Sequence, residues 1–116
     1  MSEVTLYHNP RCSKSRQALQ LLRDRGVEPV VVEYLKNPPG AAALGALLAR
    51  LGMEARELLR ADEAEYETLG LAARLDDREA LIRAMVEHPI LIQRPIAVRG
   101  DRARLGRPPE RVLELL

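Results

Sequence analysis

The opening third of the chain restricts the fold most. Val4-Thr5-Leu6-Tyr7 has the β-branched and aromatic bias of a short strand. From Ser13 to Arg25, Ala18, Leu19, Leu21 and Leu22 recur at spacings that gather them on one helix face, and Gly26 follows where such a helix would be capped. Pro29-Val30-Val31-Val32-Glu33-Tyr34 is then a nearly unbroken apolar run, the pattern of a strand buried on both faces. The predicted unit is β-α-β.

Asn37-Pro38-Pro39-Gly40 interrupts this pattern. From about residue 40 to His88 the periodicity is helical: Ala41–Leu51 forms one helix stopped by Gly52, and Ala55–Arg60 a short second one. Asp62 with Glu65 and Asp76 with Glu79 have capping-box spacing, which predicts helices over Glu63–Leu69 and Asp77–Glu87, the last stopped by Pro89. Strand character returns at Pro95–Arg99, Gly100-Asp101 suits a hairpin turn into Ala103-Arg104-Leu105, and Pro108-Pro109 suits the first turn of a helix over Glu110–Leu116. A βαβ start and a ββα end sharing one sheet is the thioredoxin-like α/β arrangement. The expectation is a single domain over residues 1–116 with a helical insertion at about 40–88.

Composition narrows the function. With 116 residues the chain is long enough for one real core, and with no Trp or Phe that core must come from Leu, Val, Ile and Ala. A net charge of +1, with only Tyr7, Tyr34 and Tyr66 to stack on bases, argues against nucleic acid as a partner and against anionic lipid. Ala41 to Leu51 is too short to span a bilayer, and Met1-Ser2-Glu3-Val4-Thr5 lacks the regions of a secretory signal, so a cytoplasmic location is expected. A single cysteine excludes an internal disulfide framework and a multi-cysteine zinc site.

That cysteine, Cys12, lies at the predicted junction of strand and helix. There the N–H groups of Ser13, Lys14 and Ser15 have no partner within the helix and are available to an anion. They favour a thiolate and can hold an oxyanion beside it; His8, Arg11, Lys14 and Arg16 add local positive charge. An inert cysteine would prefer apolar surroundings, which these are not. Ser15 stands where the second cysteine of a C-x-x-C pair would be. A serine there can hydrogen-bond the thiolate but cannot resolve a mixed disulfide, so an external thiol must. His88, before Pro89, reads as a partner of a helix C-terminus. Sixteen arginines accompany two lysines, and the planar guanidinium fork suits bidentate oxyanion binding. Periodicity does not select among them, though Arg94-Pro95, leading into a strand opposite the Cys12 loop, is a candidate cis bond.

Four separated blocks resemble, in order, the ArsC-type arsenate reductases that use glutathione and glutaredoxin: His8-Asn9-Pro10-Arg11-Cys12-x-x-Ser15-Arg16, Glu57-Leu58-Leu59-Arg60, His88-Pro89-Ile90-Leu91-Ile92-x-Arg94-Pro95-Ile96 and Gly106-Arg107-Pro108-Pro109-Glu110. The resemblance implies a three-layer fold with a mixed four-stranded sheet, Cys12 as the nucleophile that forms a thiol–arsenate adduct, and His8 as the residue that favours its thiolate. It also implies Arg60, Arg94 and Arg107 as the oxyanion ligands and Pro95 as the cis-proline. No bound cofactor is implied; glutathione is a co-substrate and glutaredoxin a protein partner, and separately from the resemblance a monomer is expected. Ser13-Lys14 stands where plasmid-type members have Gly-Thr, which places the chain nearer the shorter YfgD-like branch. Two other readings stay open at this point. One is a glutaredoxin-like thiol transferase. The other is a Spx-like regulator that binds RNA polymerase, although such sensors carry the second cysteine that Ser15 replaces.

Overall fold

Four short strands, β1 (Val4–His8), β2 (Val30–Glu33), β3 (Ile96–Arg99) and β4 (Arg102–Leu105), form one mixed sheet in the order β2-β1-β3-β4. β1 runs parallel to β2, with His8 opposite Glu33, and antiparallel to β3, with Tyr7 opposite Ile96; β3 and β4 form the expected hairpin. This is the mixed sheet of a thioredoxin-like fold. The structure is a computed structural model that describes residues 3–116. Contacts divide it into two compact units: the sheet unit, which runs to Asn37 and resumes at Arg94–Leu116, and a helical unit, Pro38–Gln93.

In the sheet unit, α1 (Ser13–Asp24) buries Ala18 and Leu22 against Val4, Leu6, Ala97, Val112 and Leu115. Each fully buried leucine there contributes about 1.5–3 kcal/mol by leaving water. The helix stops where Gly26 takes a φ of 78°, a left-handed conformation that costs glycine nothing. The C-terminal segment Pro109–Leu115 is a 3₁₀ helix that buries Val112 and Leu115.

One expectation for this unit fails. Val30 and Val31 are 45% and 38% exposed, so β2 is not buried on both faces. The sheet order explains it: β2 is an edge strand paired with β1 alone. An apolar run signals a strand but carries no information about its place in the sheet.

Where β4 leaves the sheet, the Gly106 N–H donates to the Pro95 carbonyl at 2.8 Å. A Cβ on residue 106 would lie 2.7 Å from Pro95 Cγ and 3.1 Å from Val112 Cγ1, so only glycine permits this approach. The Arg94–Pro95 bond is cis, as the sequence suggested, and Arg107–Pro108 is cis as well.

The helical unit contains α2 (Ala41–Leu51), α3 (Ala55–Leu58), α4 (Ala64–Thr68) and α5 (Arg78–Glu87), with 3₁₀ turns at Leu71–Arg74 and Pro89–Leu91. Its core includes Leu44, Leu47, Leu48, Leu58, Leu81, Met85 and Leu91. α3 ends before the predicted Arg60 because the chain turns to extended pairing: Leu59 bridges Ile92, and the Arg60 N–H donates to the Leu91 carbonyl at 2.7 Å. The capping residues also differ from expectation. α4 and α5 begin one residue later than predicted, behind Glu63 and Asp77, and Asp77 Oδ1 accepts from the Ala80 N–H at 3.1 Å. The capping box that forms is instead Glu54 with Glu57. Among the described residues no helix is long and apolar enough to cross a membrane.

Candidate active site

Cys12 is the N-cap of α1, with extended backbone angles, and its carbonyl accepts the first helical hydrogen bond from Arg16. The loop before it is held by its own short-range bonds. Cys12 N–H donates to the Asn9 carbonyl at 3.0 Å, and Asn9 Oδ1 accepts from the Arg11 N–H at 3.0 Å. The Arg16 guanidinium donates to the Pro10 carbonyl at 3.0 Å. Asn9 is 4% exposed, so this asparagine is an internal strut of the loop. The sequence reading passed it over, although an Asn-Pro step before a helix is the usual signature of a side chain that bonds the backbone two residues on.

The Cys12 thiol is held below its ordinary pKa. Partial burial pushes it up, and this is the largest single influence; the Ser15 backbone N–H, a hydrogen bond from the Arg94 side chain, the Lys14 backbone N–H and the Arg94 charge together push it further down. The first turn of α1 carries no acidic residue to oppose them. The helix-start amides are therefore at work as expected. The cation that acts on the sulfur is Arg94, brought from the start of β3, where it is 9% exposed.

His8 ends β1 and Ser15 lies in the first turn of α1, as the sequence suggested, but the Ser15 hydroxyl bonds partners other than the thiol. Ser15 Oγ lies 2.9 Å from His8 Nδ1 and accepts the Asn9 N–H at 3.0 Å, with Ser15 fully buried. The hydroxyl thus braces the loop, and the serine reaches the thiol through its backbone N–H. For His8 the environment disfavours the charged form. Burial lowers its pKa; Glu33, opposite it on β2, raises it less, and Arg23 and Arg16 lower it further.

The three arginines fall into two settings. In the sheet unit, the Arg107 guanidinium donates to the Arg94 carbonyl at 2.9 Å, which ties β4's exit to the residue beside the thiol. Arg60 belongs to the helical unit, and its side chain, 12% exposed, is ion-paired with Glu63 at 3.1 Å and Asp62 at 3.2 Å. The sheet unit thus assembles a thiolate-favouring cysteine, two helix-start amides and the Arg94 side chain, with Arg107 tied to the Arg94 carbonyl. That set can launch a nucleophilic attack and stabilise charge growing on an oxyanion.

A model of the ArsC family matches residues 7–115. Among curated proteins, the chain is 56% identical to an uncharacterized protein, YfgD, of Escherichia coli strain K12, over 98% of this chain and 97% of that one. It is 48% identical to an arsenate reductase of Rhizobium meliloti, over 97% of this chain and 81% of that one. Among solved structures, an arsenate reductase from Vibrio cholerae superposes with a TM-score of 0.95 at 46% identity, covering 99% of this chain and 98% of that one.

Proposed function

The chain belongs to the ArsC family, and from that premise we propose that it is an arsenate reductase coupled to glutathione and glutaredoxin. The observation that carries this reading is the Arg94 side chain beside a Cys12 thiol already held low by helix-start amides. The thiolate attacks arsenic(V), forms an S–As bond and releases one arsenate oxygen as water after protonation. Arg94 and Arg107 are assigned to the arsenate oxygens, where a fixed guanidinium serves the charge that develops in the transition state. A glutathione thiolate then attacks the Cys12 sulfur. An S–S bond forms, the S–As bond breaks, and its electron pair stays on arsenic, which leaves as arsenite. Two thiols have become one disulfide and arsenic has gained two electrons. Ser15 offers no second sulfur, so glutaredoxin removes the glutathione and regenerates Cys12.

His8 and Ser15 support this chemistry by holding the loop that presents Cys12. Arg60 is the third arginine of the assignment, and it would serve the anion in competition with its ion pairs to Asp62 and Glu63. We place the reaction in the cytoplasm, where thiols are kept reduced, on a monomeric chain.

The test is arsenite formation from arsenate with glutathione and glutaredoxin present. Wild type should produce arsenite, and Cys12→Ser should lower the rate on the order of a thousandfold or more, as loss of a nucleophile does. No arsenite above background from wild type sinks the proposal. Turnover of a glutathione mixed disulfide that is indifferent to Arg94→Ala and Arg107→Ala would point to a thiol transferase instead.

A further inference from the structure

A cavity of about 270 Å³ opens beside the Cys12 loop, walled on one side by residues 8–11 and on the other by Glu33, Leu35 and Lys36. It lies wholly within the sheet unit, and no step assigned above uses it. Its second wall is a built turn: the Lys36 and Asn37 N–H groups both donate to the Glu33 carbonyl at 3.0 Å. Glu33 Oε1 and Lys36 Nζ sit 3.6 Å apart, the lysine largely in solvent and the glutamate half-buried. Leu35, 39% exposed, adds apolar surface, and Arg11 supplies a second cation from the loop side. The cavity is near the small end of ligand pockets, which run upward from about 300 Å³.

An adjacent carboxylate and ammonium, a second cation on the loop wall and an exposed leucine in one cleft describe the complement of a particular molecule. It must carry an ammonium beside a carboxylate at one end, a lone carboxylate at the other, and an uncharged middle. Arsenate has none of these features beyond negative charge. A γ-glutamyl tripeptide thiol has all of them, and its sulfur sits in the middle.

We propose that this cleft is the glutathione subsite, an inference that rests on the reductase reading. Glu33 takes the γ-glutamyl ammonium, Lys36 its neighbouring carboxylate, and Arg11 the glycine carboxylate. Arg11 immediately precedes Cys12, with Cα atoms ~3.8 Å apart as in any trans-linked pair. The arrangement therefore brings the tripeptide's thiol to the segment that carries the adduct, while Arg94 and Arg107 stay free for the arsenate oxygens.

The test uses S-methylglutathione, which keeps every charge and cannot react. Titrated into the ¹⁵N-labelled full chain, it should shift the amides of His8, Asn9, Arg11, Cys12 and residues 33–36 in a saturable manner. Arg11→Ala and Lys36→Ala should each weaken binding about threefold to fivefold, the effect of one exposed charge contact. Added salt should weaken wild-type binding in the same sense, which reads the charge contribution without any substitution. In the arsenite assay, the KM for glutathione should rise in both variants more than the KM for arsenate, and more than the loss seen with uncharged 2-mercaptoethanol as reductant. Shifts that map elsewhere, no saturable shifts, or variants that bind like wild type would overturn the subsite. Arsenite formation by wild type is scored separately: its absence defeats the reductase reading, whereas arsenite formed without shifts in the cleft defeats the subsite alone.

Discussion

Arg94 and Arg60 place the same side chain, largely buried, in opposite company. In the sheet unit Arg94 faces a thiol and lowers its pKa; in the helical unit Arg60 is ion-paired with two carboxylates. The contrast extends to their surroundings. The first turn of α1 has no acid, whereas Asp62, Glu63, Glu65 and Glu67 crowd the chain just after Arg60. The two guanidiniums therefore start from different company, a thiol in one unit and a pair of carboxylates in the other.

The largest effect should come from Arg94→Ala. Removing a guanidinium aimed at the reacting centre should cost arsenite formation about 10²–10³-fold in kcat. It should also raise the Cys12 pKa, read from the pH dependence of its alkylation by iodoacetamide. Arg94→Lys keeps the charge and loses the fork, so it should recover more of the pKa than of the rate. An alanine variant with an unshifted thiol would break the contrast at its root. Next comes Ser15→Ala, which leaves the Asn9 N–H and His8 without their shared hydroxyl; it should destabilise the fold by about 1–3 kcal/mol in urea unfolding. Because the Ser15 N–H survives, the thiol should shift less than in Arg94→Ala.

Arg60→Ala should do less. Its ion pairs lie near the surface and contribute up to about 1 kcal/mol to stability. If the two acids hold it during turnover, the KM for arsenate should move less than in Arg94→Ala, and an equal rise would erase the distinction between the units. The smallest effect concerns His8. Its folded pKa lies below the ordinary imidazole value near 6.5, so between the two the unfolded chain binds more protons than the folded one. Stability is therefore full above that window and falls as pH drops through it. His8→Gln should flatten this part of the urea-midpoint profile, and an unchanged slope would remove His8 from the account.

Much of this was legible beforehand, for local reasons. The start of α1 at Cys12, and the stops at Gly26 and Gly52, depend on backbone preferences that one residue expresses alone. What escaped depends on partners from elsewhere. The direction of the Ser15 hydroxyl is set by the turn that brings His8 and Asn9 over it, and the exposure of β2 by which strands flank it. The ion pairs of Arg60 had a sequence signal, because Glu63 follows at helical salt-bridge spacing and Asp62 lies beside it in the sequence. The tie from Arg107 to the Arg94 carbonyl has no sequence signal, since a backbone acceptor carries no residue identity.

Gly106 has a consequence for genetics. It touches neither sulfur nor anion, yet its bare Cα is what allows Pro95 to sit where it does, and Arg94 is one bond away from Pro95. A screen for loss of arsenate reduction would thus collect alleles at codon 106 alongside those at codons 12 and 94. Such alleles would look like lesions in the chemistry while being lesions in the clearance between two loops.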